Sequence, residues 1–177
     1  MRKNILSLSI AAMIGGLGLA GGAFAQNVAG ATASRLELTP EGIGHINIVP
    51  YFTAQDANIT TLSIVNTDET NGKAVKVRFR GASNSDDVFD FTLFLSPGDV
   101  WAAKVKQLPN GLAALSTEDN SCTIPVNVGT DAAPRSFVTS RVNPKANLAN
   151  ETREGYVEIL TMADIPASAS TTSVYYA

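Results

Sequence analysis

The chain of 177 residues has one cysteine and one histidine, and each scarcity excludes a class of site. A single cysteine, Cys122, rules out a disulfide within the chain. Together with the single histidine, His45, it also rules out a zinc site built from Cys and His ligands of one chain. Free cysteines are usually buried, so we expect Cys122 to be a small core residue. The alternative is a disulfide to a second copy.

Catalytic motifs are also missing. Histidine-based catalysis would depend on His45 alone, and no Gly-x-Ser-x-Gly or comparable nucleophile motif accompanies it. We therefore expect a structural or surface role for His45. Two acids in a cleft, as glycoside hydrolases use, would need pairs such as Glu154 with Glu158 or Asp87 with Asp90. Acids at such spacings are common, and we predict that the protein is not an enzyme.

Long apolar runs are confined to the beginning of the chain. Arg2 and Lys3 precede an apolar stretch over residues 5–20, and Ala23 and Ala25 occupy the positions that a signal peptidase reads. The stretch is shorter and weaker than the roughly 20 strongly apolar residues of a spanning helix. We predict that residues 1–25 are a signal peptide cleaved before Gln26. The protein is then exported to the periplasm, the cell surface or the medium, with no integral membrane segment.

Positive charge is scarce as well. Without residues 1–25, 11 Lys and Arg residues face 16 Asp and Glu residues, for a net charge of −5. An acidic chain argues against nucleic acid or an anionic membrane surface as the partner.

Short runs of β-branched and aromatic residues dominate the chain after a small, polar lead-in over residues 26–43, which we expect to be flexible. In residues 74–80 and 89–96, apolar and polar residues alternate, as they do in half-buried antiparallel strands. Similar strand-like segments follow or precede them at residues 45–53, 59–67, 100–106, 136–142, 155–163 and 171–177.

The middle of the chain is ambiguous. Residues 112–118 are a candidate short helix, and residues 122–128 are a candidate strand that Pro125 restricts to a sheet edge or to a non-strand. About eight short strands with little helical periodicity predict an all-β fold. We predict one antiparallel β-sandwich domain over residues 44–177, immunoglobulin-like or jelly-roll-like, with a barrel as the alternative.

Several segments resemble an uncharacterised family of exported bacterial proteins described as cell-surface proteins. The segments are VPYFT (49–53), IVNTD (64–68), VKVRFR (75–80), DVFDFTLFLSPGDVW (87–101), DNSCT (119–123) and EGYVEILTMADI (154–165). The resemblance implies export and a β-rich body, and it assigns no activity or site residue. Members of the family continue further after the last segment, so the resemblance implies a short or truncated member.

Acidic loop residues are the candidate metal ligands. Asp86, Asp87 and Asp90 could supply oxygen ligands to calcium, which takes six to eight of them. Asp68, Glu69 and Asn71 form a second such loop. Neither matches the spacing of an EF-hand, and Asp and Asn are ordinary turn residues, so solvated turns are the simpler interpretation. Calcium is thus the one cofactor that the sequence leaves open.

Aromatic and basic residues give the candidate contact surfaces. Tyr175 and Tyr176 are adjacent in a strand-like run, so at least one ring should face outward and could contact a ligand or a partner. Trp101 is expected in the core. The basic stripe Lys76, Arg78 and Arg80 is expected to pair with acids of a neighbouring strand.

Taken together, these patterns favour a non-catalytic structural or adhesive protein of the bacterial surface, with copies of itself or other surface components as partners. The alternative is a secreted or periplasmic ligand-binding module for carbohydrate, with calcium as a candidate aid.

Overall fold

The structure of the chain is a computed structural model that describes residue 38, residues 42–142 and residues 147–166. The predicted signal peptide, most of the lead-in and the strand-like segment 171–177 lie outside the described residues. The chain divides into two compact units, Met1–Gly44 and His45–Ala177, and the description below concerns the second.

The described residues form nine strands and two 3₁₀ turns, and they contain no α-helix. The strands in chain order are β1 (Ile46–Thr53), β2 (Thr60–Val65), β3 (Asn71–Gly81), β4 (Asp87–Leu95), β5 (Val100–Gln107), β6 (Ala113–Ser116), β7 (Thr123–Ile124), β8 (Arg135–Ser136) and β9 (Glu154–Pro166). The 3₁₀ turns are Gln55–Ala57 and Asn150–Thr152. Within this described part, no helix has the length and apolar character needed to cross a membrane.

The strands form two antiparallel sheets. One has the order β1-β9-β3-β4-β7 and the other the order β2-β5-β6-β8. The two sheets pack face to face, which confirms the predicted β-sandwich over the barrel. Because the strands are antiparallel, successive loops lie at opposite ends of the sandwich. The β2–β3 and β4–β5 loops lie at the Cys122 end, and the β1–β2 and β3–β4 loops lie at the Tyr51 end.

Alternation along β3 and β4 builds one wall of the core, as predicted. Val75, Val77 and Phe79 are buried, whereas the basic residues between them are partly exposed. On β4, Phe91 and Leu93 are fully buried, and the polar residues between the apolar ones face outward. Successive side chains of a strand point to opposite faces, so each of these strands contributes one face to the core and one to the surface.

Aromatic rings fill the centre of the sandwich. The ring of Phe79 lies 5.0 Å from that of Phe137 and 5.4 Å from that of Phe52, measured between centroids. Phe91 lies 5.4 Å from Trp101, and the side chain of Trp101 is fully buried. The predicted core position of Trp101 is confirmed. Packed rings at these separations add stabilisation beyond the area that they bury.

Three predictions for the middle of the chain meet different outcomes. The helix over residues 112–118 is wrong, because Ala113–Ser116 pairs with β5 as strand β6 and all four of its residues are buried. The strand over residues 136–142 shrinks to β8, which pairs only with β6. The edge position next to Pro125 is confirmed, because β7 pairs only with β4 and ends just before that proline.

Candidate functional site

A ladder of charges crosses the outer face of the five-stranded sheet. Lys76 forms an ion pair with Asp90 on β4, which confirms the predicted pairing of the basic stripe with a neighbouring strand. On the other side, Nε of Arg80 lies 3.0 Å from Oε2 of Glu158 on β9. Burial lowers the pKa of Arg80, but its hydrogen bond to Glu158 raises the pKa overall. Arg78 stands between Asp90 and Glu158 in the strand register. The ladder thus holds three cations and two carboxylates, and its single excess positive charge is small for binding a polyanion.

The candidate calcium ligands Asp86, Asp87 and Asp90 lie at the beginning of β4. Asp90 is held by Lys76, and Oδ2 of Asp87 lies 3.2 Å from Nη1 of Arg141. Oδ2 of Asp86 and Oδ1 of Asp87 are buried and make no hydrogen bond within the described residues. Across the part of the chain that the structure describes, no three His, Cys, Asp or Glu side chains are grouped to hold a metal ion. Calcium binding here stays a prediction.

The second acidic loop is organised around a lysine. Asp68 accepts hydrogen bonds from the backbone N–H groups of Thr70 and Asn71, at 2.9 and 3.0 Å. Its Oδ2 also accepts one from Nζ of Lys73, at 2.6 Å. The carboxylate of Asp68 is thus occupied by the turn that it caps and by a cation.

An acidic cleft of about 620 Å³ opens at the Cys122 end. The residues lining it are Gly72, Phe94, Leu95, Ser96, Pro97, Asp99, Asp119, Asn120, Ser121, Cys122 and Ile165. Ser121 donates its hydroxyl hydrogen to Oδ1 of Asp119 at 2.6 Å, and Oδ2 of Asp99 accepts the backbone N–H of Ser96 at 3.2 Å. The carboxylates therefore order the loops of the cleft.

The acidic cleft brings a serine, a cysteine and two carboxylates together. A serine or cysteine nucleophile is normally activated by an adjacent base that a third group orients. Asp119 accepts the hydroxyl hydrogen of Ser121, and the same oxygen accepts the backbone N–H of Ser121 at 2.8 Å. Asp119 therefore both contacts this hydroxyl and orders the loop that carries it.

Cys122 is exposed, and the prediction that it is a buried core residue is wrong. The reason lies in the register. Phe94 donates its backbone N–H to the carbonyl of Cys122, at 2.9 Å, so Cys122 sits beside β4 at the very start of β7. The alternation along this edge buries Thr123, which leaves Cys122 and Ile124 on the outward side.

Exposed apolar side chains follow this thiol along the chain. Ile124 is 61% exposed and Val126 is 92% exposed, although both are large and apolar. We call Cys122, Ile124 and Val126 the apolar edge. Exposed apolar side chains grouped at a sheet edge are typical of a protein contact site.

A second, polar cleft of about 280 Å³ lies at the Tyr51 end. Its lining residues are Gln55, Ala82, Ser83, Asn150, Glu151 and Glu154. Tyr51 is 57% exposed and does not line the cleft, but it donates its hydroxyl hydrogen to Oε1 of the lining residue Glu154 at 2.9 Å. No sequence motif marks this cleft, because its residues come from three separate segments that together span about 100 positions.

Of the remaining residues singled out in the sequence, the structure describes His45 but not Tyr175 or Tyr176. Tyr175 and Tyr176 lie outside the described residues, so their predicted contact with a partner stays a prediction. His45 is exposed at the surface, in agreement with the role expected for it, and its backbone carbonyl accepts the N–H of Thr161. His45 is not one of the described residues that line the two clefts or form the apolar edge.

Comparisons with protein-family models, with curated proteins and with solved structures find no match for this chain.

Proposed function

We propose that this protein is a non-catalytic structural or adhesive component exported to the bacterial cell surface. One observation carries the proposal: the apolar edge exposes Ile124 and Val126 beside the exposed Cys122, at the rim of a five-stranded sheet. When a partner covers apolar residues in such a place, the complex is stabilised by about 25 cal/mol per Å² of buried apolar surface. The signal peptide predicted at residues 1–25 supports export.

The partner that we propose is another copy of the chain or a surface component. Edge strand β7 has two residues and is followed by Pro125, so a partner would bind its apolar side chains and not extend its backbone ladder. Cys122 lies next to that edge, and a second copy in an oxidising compartment would bring an identical thiol to it. The apolar edge thus combines apolar and thiol chemistry in one place.

The experiment fractionates the native cells and measures the mass of the protein in each fraction. We expect a form that begins at Gln26, located at the outer surface and sedimenting as a large assembly. Ile124→Ser should shift the protein toward smaller species. The matched control is Ile59→Ser, because Ile59 is 58% exposed but lies in the β1–β2 loop. A periplasmic monomer that is unchanged by Ile124→Ser would overturn the proposal.

A ligand-binding module for carbohydrate is the second candidate function. The polar cleft favours it, because amide, hydroxyl and carboxylate side chains line the cleft and the exposed Tyr51 is hydrogen-bonded to one of these carboxylates. Calcium assistance would require the Asp86, Asp87 and Asp90 site, and a rise in melting temperature on adding calcium would support that addition.

A further inference from the structure

The polar cleft is a preformed site in which three chain segments are tied together by backbone hydrogen bonds. Ala54, at the end of β1, donates its N–H to the carbonyl of Arg153 at 2.8 Å. Ala82, in the β3–β4 loop, donates its N–H to the carbonyl of Glu154 at 2.9 Å. The backbones of all three segments are therefore held together before any ligand arrives, which reduces the entropy lost on binding.

Strained backbone is concentrated in the two loops that flank this cleft. Among the described residues, the non-glycine residues with positive φ are Asp56 (50°), Ala57 (64°) and Ser85 (61°). Asp56 and Ala57 follow Gln55 directly, and Ser85 follows Ser83 by two positions. Residues other than glycine rarely adopt a backbone conformation with positive φ. Those that do are often found at functional sites, where the surrounding structure enforces the conformation.

The chemistry of the lining selects the ligand. Gln55 and Asn150 each offer a carbonyl acceptor and an amide donor, and Ser83 offers a hydroxyl. Glu151 and Glu154 are acceptors. Among the described residues that line the cleft there is no lysine, arginine or histidine, so a phosphate or another anion would meet only like charge. A neutral ligand rich in hydroxyl groups can donate to the carboxylates and exchange hydrogen bonds with the amides.

Tyr51 supplies an apolar platform beside these polar groups. Tyr51 is not itself a lining residue, but its hydroxyl donates a hydrogen bond to Glu154, which lines the cleft, and 57% of the residue is exposed. An exposed aromatic ring next to a polar site can pack against the C–H face of a sugar, while the polar groups bind the hydroxyls. We infer that the polar cleft binds a neutral saccharide, with Tyr51 packing against the sugar and Gln55, Asn150 and Glu151 binding its hydroxyls. This inference deepens the second candidate function.

The test uses amide NMR spectra of the protein from Gln26 onward, titrated with neutral hexoses and their disaccharides at millimolar concentration. We expect saturable shifts of the amide signals of Gln55, Ser83 and Asn150 with at least one saccharide. Tyr51→Ala should weaken that binding by about tenfold or more. Tyr51→Phe keeps the ring and loses only the bond to Glu154, so it should weaken binding less. Ser63→Ala, an exposed substitution on β2, is the control and should leave the affinity unchanged.

The outcomes separate this inference from the proposed surface role. Saturable binding that Tyr51→Ala removes and Ile124→Ser leaves intact supports the saccharide site, whatever the state of assembly. Should Tyr51→Ala fail to fold, as judged by the fluorescence of the buried Trp101, Gln55→Ala takes its place. The inference would be overturned if no saccharide caused saturable shifts in the folded protein, or if neither Tyr51→Ala nor Gln55→Ala changed the shifts. It would also be overturned if parallel titrations with calcium or spermidine shifted the amide signals of the cleft and the saccharides did not.

Discussion

Nζ of Lys73 lies 2.6 Å from Oδ1 of Asp164 and 2.6 Å from Oδ2 of Asp68. Lys73 is on β3, Asp164 is near the end of β9, and Asp68 is in the β2–β3 loop, so one ammonium group joins three elements at the Cys122 end. Lys73 is only 6% exposed. Burial lowers the pKa of Lys73, but its hydrogen bonds to Asp164 and Asp68 outweigh that effect and raise the pKa overall.

This arrangement makes the stability of the fold sensitive to acid. The hydrogen bond from Lys73, supported by the N–H groups of Asn71 and Thr70, holds the pKa of Asp68 well below its ordinary value of 3.8. A carboxylate with a depressed pKa stabilises the fold above the pKa of the unfolded chain, and this contribution is lost as the pH falls through the folded-state pKa. Asp68→Asn should therefore lower the melting temperature at neutral pH, and its difference from the wild type should narrow below about pH 4.

Thermal unfolding followed by the fluorescence of Trp101, between neutral pH and about pH 3, measures this difference. Asp56→Asn is the matched control, since Asp56 is exposed and makes no ion pair within the described residues. Its melting curve should follow the wild type at every pH. A difference between Asp68→Asn and the wild type that stays constant with pH would contradict the assigned role of Asp68.

Asn66 links the two loops next to this cluster. Its Nδ2 donates to the carbonyls of Asn71 at 2.9 Å and Ser96 at 2.8 Å, and its Oδ1 accepts the N–H of Asp68 at 3.1 Å. The residue is 4% exposed, so Asn66→Ala should lower the free energy of unfolding by about 2 kcal/mol. Urea denaturation measures this change. Asn58→Ala, at an exposed position, should change the free energy of unfolding by less than about 0.5 kcal/mol.

Gly155 lies where β9 passes closest to β3. A Cβ atom at this position would lie 1.7 Å from the carbonyl oxygen of Arg80, which is backbone and cannot move aside without disturbing the sheet. Gly155→Ala should therefore destabilise the protein by about 3 kcal/mol or more. The control is Gly98→Asn, because a Cβ at Gly98 meets nothing within 4 Å and asparagine tolerates its φ of +68°. Equal urea midpoints for the two variants would show that the close approach at Gly155 is absent.

The exposure of Cys122 predicts its reactivity. A thiol-specific reagent should modify the folded, reduced protein without denaturant, at one thiol per chain, because the sequence has one cysteine and the structure exposes it. Cys122→Ser should show no reaction. If the thiol reacted only after unfolding, the apolar edge would be covered in the folded protein. The association experiment with Ile124→Ser would then show whether a second copy of the chain covers it.

The sequence predicted the sandwich because the local patterns and the tertiary structure agree in its long strands. Val75, Val77 and Phe79 alternate with basic residues and are buried as that alternation requires. Ala113–Ser116 shows where this reasoning stops. The segment has no alternation because both of its faces are buried, so its strand character comes from pairing with β5 and not from its own composition.

The sites were harder to predict than the fold, for a related reason. A cleft such as that of Gln55, Ser83 and Asn150 forms only when distant loops meet, and each residue alone is an ordinary loop residue. Cys122 was misassigned because burial statistics for cysteine average over core and edge positions. The register of β7 against Phe94 decides its exposure, and no local signal in the sequence encodes that register.

The position of β9 has a consequence for how the chain acquires its structure. The last of the described strands lies between β1, the first of them, and β3, so neither can complete the sheet until residues 154–166 are present. A nascent chain that stops before Glu154 lacks the central partner of both strands and leaves the backbone groups along their facing edges unpaired. Folding of this half of the sandwich therefore waits until synthesis has passed residue 166, and the long-range pairing makes it slow in comparison with a fold of local contacts.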